Sequence, residues 1–308
     1  MVEKDNEYNI YKIETEEKID IKKVIITIGF VLIIICLIIF IKNLCINIKY
    51  SKICKQYESQ IAQIEIQNQS NNSNNKDNSA QIIKYTPQLT DIGKENIKHI
   101  YSSDSEKKRA FLTFDDGPSS QTPYILEILK KENIKATFFM LGSRVENSPN
   151  IVKQVYKEGH YIANHGYSHV YSSIYSSPES VLEEYTKCNI AVQKAIENPE
   201  YDSHLFRFPG GLVGGKYAEL KKQAKEILNQ NNIVNVDWNA LNGDAETQTP
   251  TIEFELQKIK ETTENKKSIV ILMHDSPSKE VTVQALPQII QYLKEQGYEF
   301  KNFYEIIK

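Results

Sequence analysis

Short apolar runs in the C-terminal part of the chain repeatedly end in side chains that bind metal ions or transfer protons. These runs alternate with helix-like segments, and in a β/α barrel the catalytic groups lie at the C-terminal ends of the strands. Carboxylates, imidazoles and guanidinium groups at such positions are candidates for hydrolytic or metal chemistry. The candidates are Asp115, Asp116, His165, His169, Arg207, Asp237, Asp244, His274 and Asp275.

His165 and His169 have the spacing H-x-x-x-H, which predicts two imidazoles on the same side of a helical turn. Two surface histidines that bind nothing can have the same spacing, so the pair alone leaves both interpretations open. A carboxylate such as Asp116 would complete a set of three ligands and leave one position free for water. Two histidines and a carboxylate suit catalytic zinc or a similar divalent ion.

The two adjacent carboxylates, Asp115 and Asp116, are followed by Gly117 and Pro118. Asp, Gly and Pro all favour turns, so this sequence also suits a simple turn after a strand. The histidines at another strand end favour the chemical interpretation. In that interpretation one carboxylate binds the metal and its neighbour accepts a proton from the attacking water.

Three further residues have two interpretations each. Arg207 either belongs to the site or forms a plain surface ion pair. Asp275 directly follows His274, and it either joins the site or caps a helix or loop. Asp237 either contacts a residue of the site without contacting the substrate or lies in a loop.

Strand and helix signals alternate from residue 108 onwards, which indicates parallel βαβ units in one domain of about 200 residues. A β/α barrel, closed or incomplete, suits this rhythm. Helix starts are indicated where a Ser or Thr N-cap precedes Pro at the first helical position. These starts are Thr122-Pro123, Ser148-Pro149, Ser177-Pro178 and Thr249-Pro250. The predicted strands are residues 110–114, 136–141, 161–163, 205–208, 233–238 and 268–273, and the predicted last helix is 281–296.

The apolar run at residues 24–41, extended to residue 46, predicts a transmembrane helix. At about 1.5 Å per residue the run reaches roughly 27 Å, close to the thickness of a bilayer's hydrocarbon core. It exceeds the apolar part of a signal peptide, and no A-x-A-like cleavage site follows it. We expect residues 1–23 to be a cytoplasmic tail, 24–46 the anchor, 47–106 a polar stalk or linker, and 107–308 the main domain.

Composition excludes some functions and some modes of stabilisation. The formal net charge of −3 gives no indication of a nucleic-acid partner. Of the four cysteines, only Cys188 lies in the predicted main domain, so no internal disulfide can stabilise it. The domain therefore relies on its apolar core or on a bound metal.

Residues 108–308 resemble the NodB-homology polysaccharide deacetylases, which form carbohydrate esterase family four. The five motif regions of that family occur here in order. The matching segments are residues 113–117, 165–169, 207–210, the region of Asp244, and 272–274. The resemblance implies a distorted (β/α)7-type barrel, here preceded by the single transmembrane helix and polar stalk.

The resemblance also implies a role for each matching residue. Asp115 corresponds to the general base, and Asp116, His165 and His169 correspond to the ligands of one divalent metal ion. The implied metal is zinc, with cobalt, manganese and nickel as alternatives. Arg207 corresponds to the residue that orients the base.

The remaining implied roles concern the leaving group and the substrate pocket. His274 corresponds to the general acid toward the departing amine, and Asp244 to the carboxylate that tunes it. The backbone N–H of Gly210 helps to hold the oxyanion, and Leu272 lines the acetyl pocket. Trp238 is assigned to the substrate pocket, where it either compensates for the missing tryptophan of the fourth motif or does not.

Several positions depart from the family pattern. The Ser or Thr usual after the first histidine is Gly166, and the lost hydroxyl removes a loop hydrogen bond worth about 1 kcal/mol, which should loosen the site. The frequent tyrosine after the proline of the third motif is Gly210. In the fourth motif Ala245 replaces the usual tryptophan, and Leu241 stands where an aspartate is common.

The function implied by the resemblance is hydrolysis of N-acetyl groups of a polysaccharide, a reaction on carbon–nitrogen bonds other than peptide bonds. The expected substrate is N-acetylglucosamine in peptidoglycan, with chitin oligomers and exopolysaccharides as alternatives. The expected location is the cell membrane, with one helix contacting lipid and the catalytic domain outside. Competing hypotheses are a non-catalytic glycan-binding relative and another metallohydrolase, although the protease signature H-E-x-x-H is absent.

Overall fold

A computed structural model describes Leu37, residues 85–102 and residues 107–308. The predicted cytoplasmic tail, all of the predicted anchor except Leu37, and most of the predicted stalk lie outside the described residues. Among the described residues, no helix has the length and apolar character needed to cross a membrane. The anchor at 24–46 therefore stays a prediction.

The described chain is built on a sheet of eight parallel strands. The strands are β1 (Lys108–Asp115), β2 (Thr137–Met140), β3 (Tyr161–Asn164), β4 (Leu205–Phe206), β5 (Val234–Asn235), β6 (Ala240–Leu241), β7 (Ser268–His274) and β8 (Tyr298–Phe300). Their order is β5-β4-β3-β2-β1-β7-β6, and β8 pairs with the start of β1. This curved, parallel arrangement is the α/β half-barrel expected for a (β/α)7-type fold.

Helices connect the strands and cover the outer face of the sheet. They are α1 (Asp91–Lys98), α2 (Thr122–Lys131), α3 (Gly142–Asn147), α4 (Pro149–Lys157), α5 (Tyr171–Ile174), α6 (Pro178–Ile196), α7 (Ala218–Gln230), α8 (Ile252–Thr263) and α9 (Glu280–Glu295). A short 3-10 helix at Phe303–Glu305 follows β8.

Alternate residues of the central strands enter two different apolar layers. On β1, Leu112 and Phe114 pack with the helices that cover one face of the sheet, whereas Phe111 points into the other layer. That second layer fills the concave side of the half-barrel and includes Phe139 and Val270. Burial on both faces explains why β1 and β7 read as nearly continuous apolar runs.

The predicted strands all correspond to observed ones, but two predicted helix starts differ. Ser177 caps α6 as expected, accepting a hydrogen bond from the backbone of Ser180. Thr122 is not an N-cap, because its hydroxyl donates to Asp275 and it is already the first helical residue. The prediction at Thr249-Pro250 is also wrong: α8 begins at Ile252, and Thr251 is the cap.

Residues 85–102, assigned to the stalk in the sequence analysis, pack against the C-terminal end of the described domain. Helix α1 approaches the backbone of Ile307, which accepts a hydrogen bond from Thr90 N at 3.1 Å. Ile100 is fully buried, and its carbonyl accepts from the Ser268 hydroxyl at the start of β7. Residues 85–102 therefore belong to the same compact unit as the strands.

Candidate active site

The ends of β1 and β3 bring two carboxylates and two imidazoles to one edge of the sheet. Asp115 is the last residue of β1, and the chain turns at Asp116, whose φ is 72°. His165 directly follows β3, and His169 has a φ of 58°. Left-handed φ values are uncommon for residues other than glycine and concentrate at functional sites.

Asp116, His165 and His169 form a cluster suited to a metal ion. Asp116 Oδ1 lies 3.7 Å from His165 Nε2 and 3.4 Å from His169 Nε2, and the three ligand atoms lie within 4.8 Å of one another. The expectation of a helical turn for the histidines was wrong, because residues 165–169 form a loop. The loop still brings both rings to the same carboxylate.

The protonation of the cluster also fits a metal. Asp116 Oδ1 is buried and has no hydrogen-bond partner among the described residues, which is costly for a carboxylate unless a cation pairs with it. His165 Nδ1 lies 2.7 Å from the carbonyl oxygen of Arg207, so Nδ1 carries the proton and Nε2 keeps its lone pair. Burial lowers the pKa of His165, which favours this neutral form.

Arg207 is fully buried and joins three strands beneath the cluster. Its Nη1 donates to Asp115 Oδ1 and to Thr113 Oγ1, both at 2.7 Å. Its other nitrogens donate to the carbonyl oxygens of Val236 and Asp237. The surface ion-pair interpretation of Arg207 is therefore wrong, and Asp115 Oδ2 is left facing His165 Nε2 at 3.8 Å.

His274, the last residue of β7, is held by Asp244. The imidazole Nδ1 lies 2.7 Å from Asp244 Oδ1, and the backbone N–H of His274 donates to Asp244 Oδ2. Burial lowers the pKa of His274, but the hydrogen bond and negative charge of Asp244 outweigh burial, so the pKa is raised. Because Nδ1 is engaged, Nε2 is the ring atom available to the site.

A second buried carboxyl lies behind Asp244, and the sequence analysis did not identify it. Thr282 Oγ1 is 3.1 Å from both Asp244 Oδ2 and Glu255 Oε1, and Asn242 donates to Glu255 Oε2 at 2.7 Å. One hydroxyl proton cannot serve two carboxylates. Burial, and then the charge of Asp244, raises the pKa of Glu255 to about 7, so a protonated carboxyl at Glu255 would supply the second proton.

Glu184, on helix α6, holds the histidine loop and was also missed. Its Oε2 accepts from the backbone N–H groups of Tyr167 and Ser168, each at 2.7 Å. Its Oε1 accepts from the Ser168 hydroxyl. Three hydrogen bonds thus anchor the loop that Gly166 was expected to loosen. The helical spacing of apolar residues in α6 does not indicate that Glu184 makes these contacts.

Asp275 holds the turn that follows β1. Its carboxylate accepts from the hydroxyls of Ser119 and Thr122, and Asp275 N donates to Asp115 O at 2.7 Å. A Cβ on Gly117 would lie 2.5 Å from Asp275 Oδ2, so glycine is needed for this close approach. Asp275 therefore supports the turn, and it is not among the three metal-site residues.

The substrate-pocket predictions fall around the same edge. Gly210 is exposed, and no described residue accepts a hydrogen bond from its N–H. Leu272 is nearly buried, two residues before His274. Trp238 lies 5.7 Å from the Arg207 guanidinium and packs against Gly211, where a Cβ would lie 2.9 Å from the indole. The side chain of Asp237 accepts from Leu212 N at 3.1 Å and so orders the loop after Gly210.

A parallel half-barrel with carboxylates, imidazoles and a buried arginine at its C-terminal edge has the groups that a hydrolase needs, and known proteins are similar to this chain. The family model described as polysaccharide deacetylase matches residues 102–228. A peptidoglycan-N-acetylglucosamine deacetylase of Bacillus cereus is 33% identical over 207 residues, covering 66% of this chain and 90% of that protein. The chain belongs to the polysaccharide deacetylase family, and its relatives include hydrolases that act on carbon–nitrogen bonds.

Solved structures agree with this assignment. A CE4 esterase of Streptococcus mutans superposes with a TM-score of 0.61 at 31% identity, covering 68% of this chain and 90% of that one. BA3943 of Bacillus anthracis, a CE4 family pseudoenzyme, superposes with a TM-score of 0.56 at 25% identity, covering 68% of each chain. The family thus includes a pseudoenzyme, so the particular residues at the site matter.

Proposed function

We propose that this chain hydrolyses N-acetyl groups of a polysaccharide in a metal-dependent reaction. The observation that carries the proposal is the cluster of Asp116, His165 and His169, in which a buried carboxylate oxygen has no partner among the described residues. Two imidazoles and one carboxylate suit a catalytic divalent ion, with zinc as our first choice and cobalt, manganese or nickel as alternatives. When bound, such an ion supplies Lewis acidity, which polarises a carbonyl group and acidifies water.

Asp115 is the proposed general base. Arg207 engages Oδ1 of this carboxylate, so Oδ2 stays directed at the metal cluster. A proton from the attacking water is therefore transferred to Oδ2, while the arginine prevents the carboxylate from rotating away. Placement of a base within reach of its proton is the first requirement of general base catalysis.

Gly210 is the proposed donor to the oxygen of the acetyl group that gains negative charge. Its N–H is exposed at the site and donates to no described residue, and the left-handed φ of 74° sets the direction of that N–H. A fixed backbone donor stabilises developing charge without reorganising during the reaction. Leu272 and Trp238 are the proposed apolar contacts around the acetyl group and the sugar.

His274 is the proposed general acid. Asp244 holds Nδ1 and raises the pKa of the imidazole, so Nε2 carries a proton that can pass to the departing sugar amine. The transfer releases a neutral amine and leaves neutral imidazole behind. Asp244 thus fixes both the tautomer and the orientation of the acid.

Peptidoglycan N-acetylglucosamine is the proposed substrate, and the cell membrane the proposed location. The choice of substrate rests on similarity to proteins named peptidoglycan-N-acetylglucosamine deacetylases. The location rests on the apolar run at residues 24–46, which would contact membrane lipid and leave the catalytic domain outside the cell. A membrane anchor followed by a polar stalk would keep the site within reach of the cell wall.

Mass spectrometry of muropeptides and of N-acetylglucosamine oligomers, treated with the full chain in detergent and added divalent metal, tests the proposal. We expect products that each lack an acetyl group, together with released acetate. Asp115→Asn should bind as much metal as the parent protein and release no acetate. A metal-loaded parent protein that releases no acetate from either substrate would identify the chain as a non-catalytic glycan-binding relative.

A further inference from the structure

Tyr171 occupies the space that a side chain at position 210 would fill. A Cβ on Gly210 would lie 3.4 Å from Tyr171 Cζ and only 2.5 Å from Tyr171 Oη, and the second distance is well inside van der Waals contact. Gly210 carries the N–H proposed to stabilise the acetyl oxygen. An aromatic side chain from α5, distant in sequence, therefore stands directly beside that donor.

The Tyr171 ring is held in place by packing on several sides. Its centroid lies 5.6 Å from that of His169 and 5.5 Å from that of Tyr175, which it meets edge to face. Tyr217 approaches within 6.4 Å. Tyr175 in turn donates to the carbonyl of Pro209 at 2.7 Å, which ties the group to the strand end before Gly210. An aromatic wall fixed in this way loses little conformational entropy when a ligand binds.

The outward side of Tyr171 is available to a ligand. The residue is 40% exposed, and no described residue forms a hydrogen bond with its hydroxyl. Two exposed apolar side chains lie close in sequence to the site, Val170 at 49% exposure and Val213 at 85%. Apolar surface with one unengaged hydroxyl suits a pyranose, which has a C–H face and hydroxyl groups at its edge.

We propose that Tyr171 forms one wall of the sugar subsite next to the metal cluster. Its ring packs against the C–H face of the sugar that carries the acetamide, and its hydroxyl donates a hydrogen bond to a hydroxyl of that sugar. The choice of an N-acetylated sugar rests on the proposed function. The contact itself rests on the geometry of Tyr171 and Gly210.

Binding of the N-acetylglucosamine tetramer, measured by calorimetry on metal-loaded full-length Asp115→Asn protein, tests the contact without turnover. Adding Tyr171→Ala should weaken binding about tenfold or more, because it removes the aromatic wall. Adding Tyr171→Phe should weaken it by roughly twofold to tenfold, the effect of one neutral hydrogen bond. Tyr292→Ala, which removes a half-buried tyrosine on α9, is the matched control and should leave affinity within about twofold.

Each outcome decides the proposal. Equal affinity in Tyr171→Ala, or no tetramer binding by any variant, overturns it. Loss of affinity with a parallel loss of bound metal shows that Tyr171 only supports the fold of the site, which also overturns it. Tetramer binding that depends on Tyr171, in a parent protein that releases no acetate, upholds the contact while the proposed catalytic function fails.

A double-mutant cycle tests the steric relationship directly. Gly210→Ala introduces a Cβ that collides with Tyr171 Oη and also strains a backbone at φ 74°. The backbone cost is the same with or without Tyr171, whereas the collision disappears in Tyr171→Ala. Gly210→Ala should therefore weaken tetramer binding less in the Tyr171→Ala background than in the Tyr171 protein. Equal effects in both backgrounds contradict the proposal.

Discussion

Arg207 Nη1 donates a hydrogen bond of 2.7 Å to Asp115 Oδ1, and both side chains are almost completely shielded from solvent. The guanidinium also lies 3.9 Å from the centre of the Phe139 ring. A buried carboxylate without its cation is strongly disfavoured, whereas a buried pair is close to neutral relative to apolar groups. The contact thus serves the orientation of Asp115 more than the stability of the fold.

Arg207→Met should lower the free energy of unfolding by about 3–5 kcal/mol, since it leaves Asp115 charged, buried and unpaired. Urea unfolding monitored by circular dichroism measures the loss. Combining Arg207→Met with Asp115→Asn removes the charge and should recover part of that loss. A double variant as unstable as the sum of the two single variants contradicts this account of the pair.

Asp244→Asn should move the alkaline limb of the kcat/KM profile to lower pH. The general acid must be protonated, so activity falls as the pH rises through the pKa of His274. Burial lowers that pKa and Asp244 raises it, so removing the negative charge leaves burial dominant. The profile is measured with soluble N-acetylglucosamine oligomers, and an alkaline limb at the same pH in parent and variant argues against His274 as the acid.

Glu184→Gln should weaken metal binding by about 10–100-fold, the usual effect of removing a group that orients a metal ligand. A glutamine oxygen can still accept from both backbone N–H groups, but its amide cannot accept from the Ser168 hydroxyl, and it lacks the negative charge that strengthens all three hydrogen bonds. Competition with a chelator gives the dissociation constant. Glu183→Gln is the matched control, because the neighbouring Glu183 is exposed and lies 4.0 Å from Lys187. Equal weakening in both variants would show that Glu184 does not act on the loop.

Glu255→Gln should become more stable relative to the parent protein as the pH rises. In the folded state the pKa of Glu255 is raised from 4.5 to about 7. As the pH rises from 4.5 to about 7, the carboxyl ionises in the unfolded chain before it ionises in the folded protein, so the parent protein loses stability over this range. A glutamine cannot ionise and keeps a donor toward Thr282. Thermal unfolding across this range measures the difference, with Glu253→Gln on the exposed face of α8 as control. A difference that does not change with pH contradicts a protonated Glu255.

Much of the site could be predicted from the sequence because its motifs are local. Asp115 and Asp116 follow an apolar strand, and the loop from His165 to His169 follows another, so parallel pairing brings them to one edge. The positions of Arg207 and His274 follow from the same rule, because Arg207 directly follows β4 and His274 is the last residue of β7. The predicted strands are likewise confirmed, because continuous apolar runs identify strands that are buried on both faces.

The contacts that the sequence could not reveal join residues that are distant along the chain. Glu184 reaches the histidine loop from α6, and Thr282 reaches both Asp244 and Glu255 from α9. The segment at residues 85–102 falls within the range assigned to the stalk or linker, and Ile97 and Ile100 belong to the apolar layer on the concave side. A hydrophobic periodicity of two or 3.6 residues does not indicate such contacts.

The sequence by itself determined six of the eight described strands, the residues at their ends, and the family to which the chain belongs. Only the tertiary structure decided which side chain stands beside Gly210, which carboxylate anchors the histidine loop, and which carboxyl keeps its proton. The physical reason is that hydrophobic periodicity and turn chemistry act over a few residues. Steric exclusion, hydrogen bonding and desolvation of buried charge depend instead on which distant segments the packed chain brings into contact.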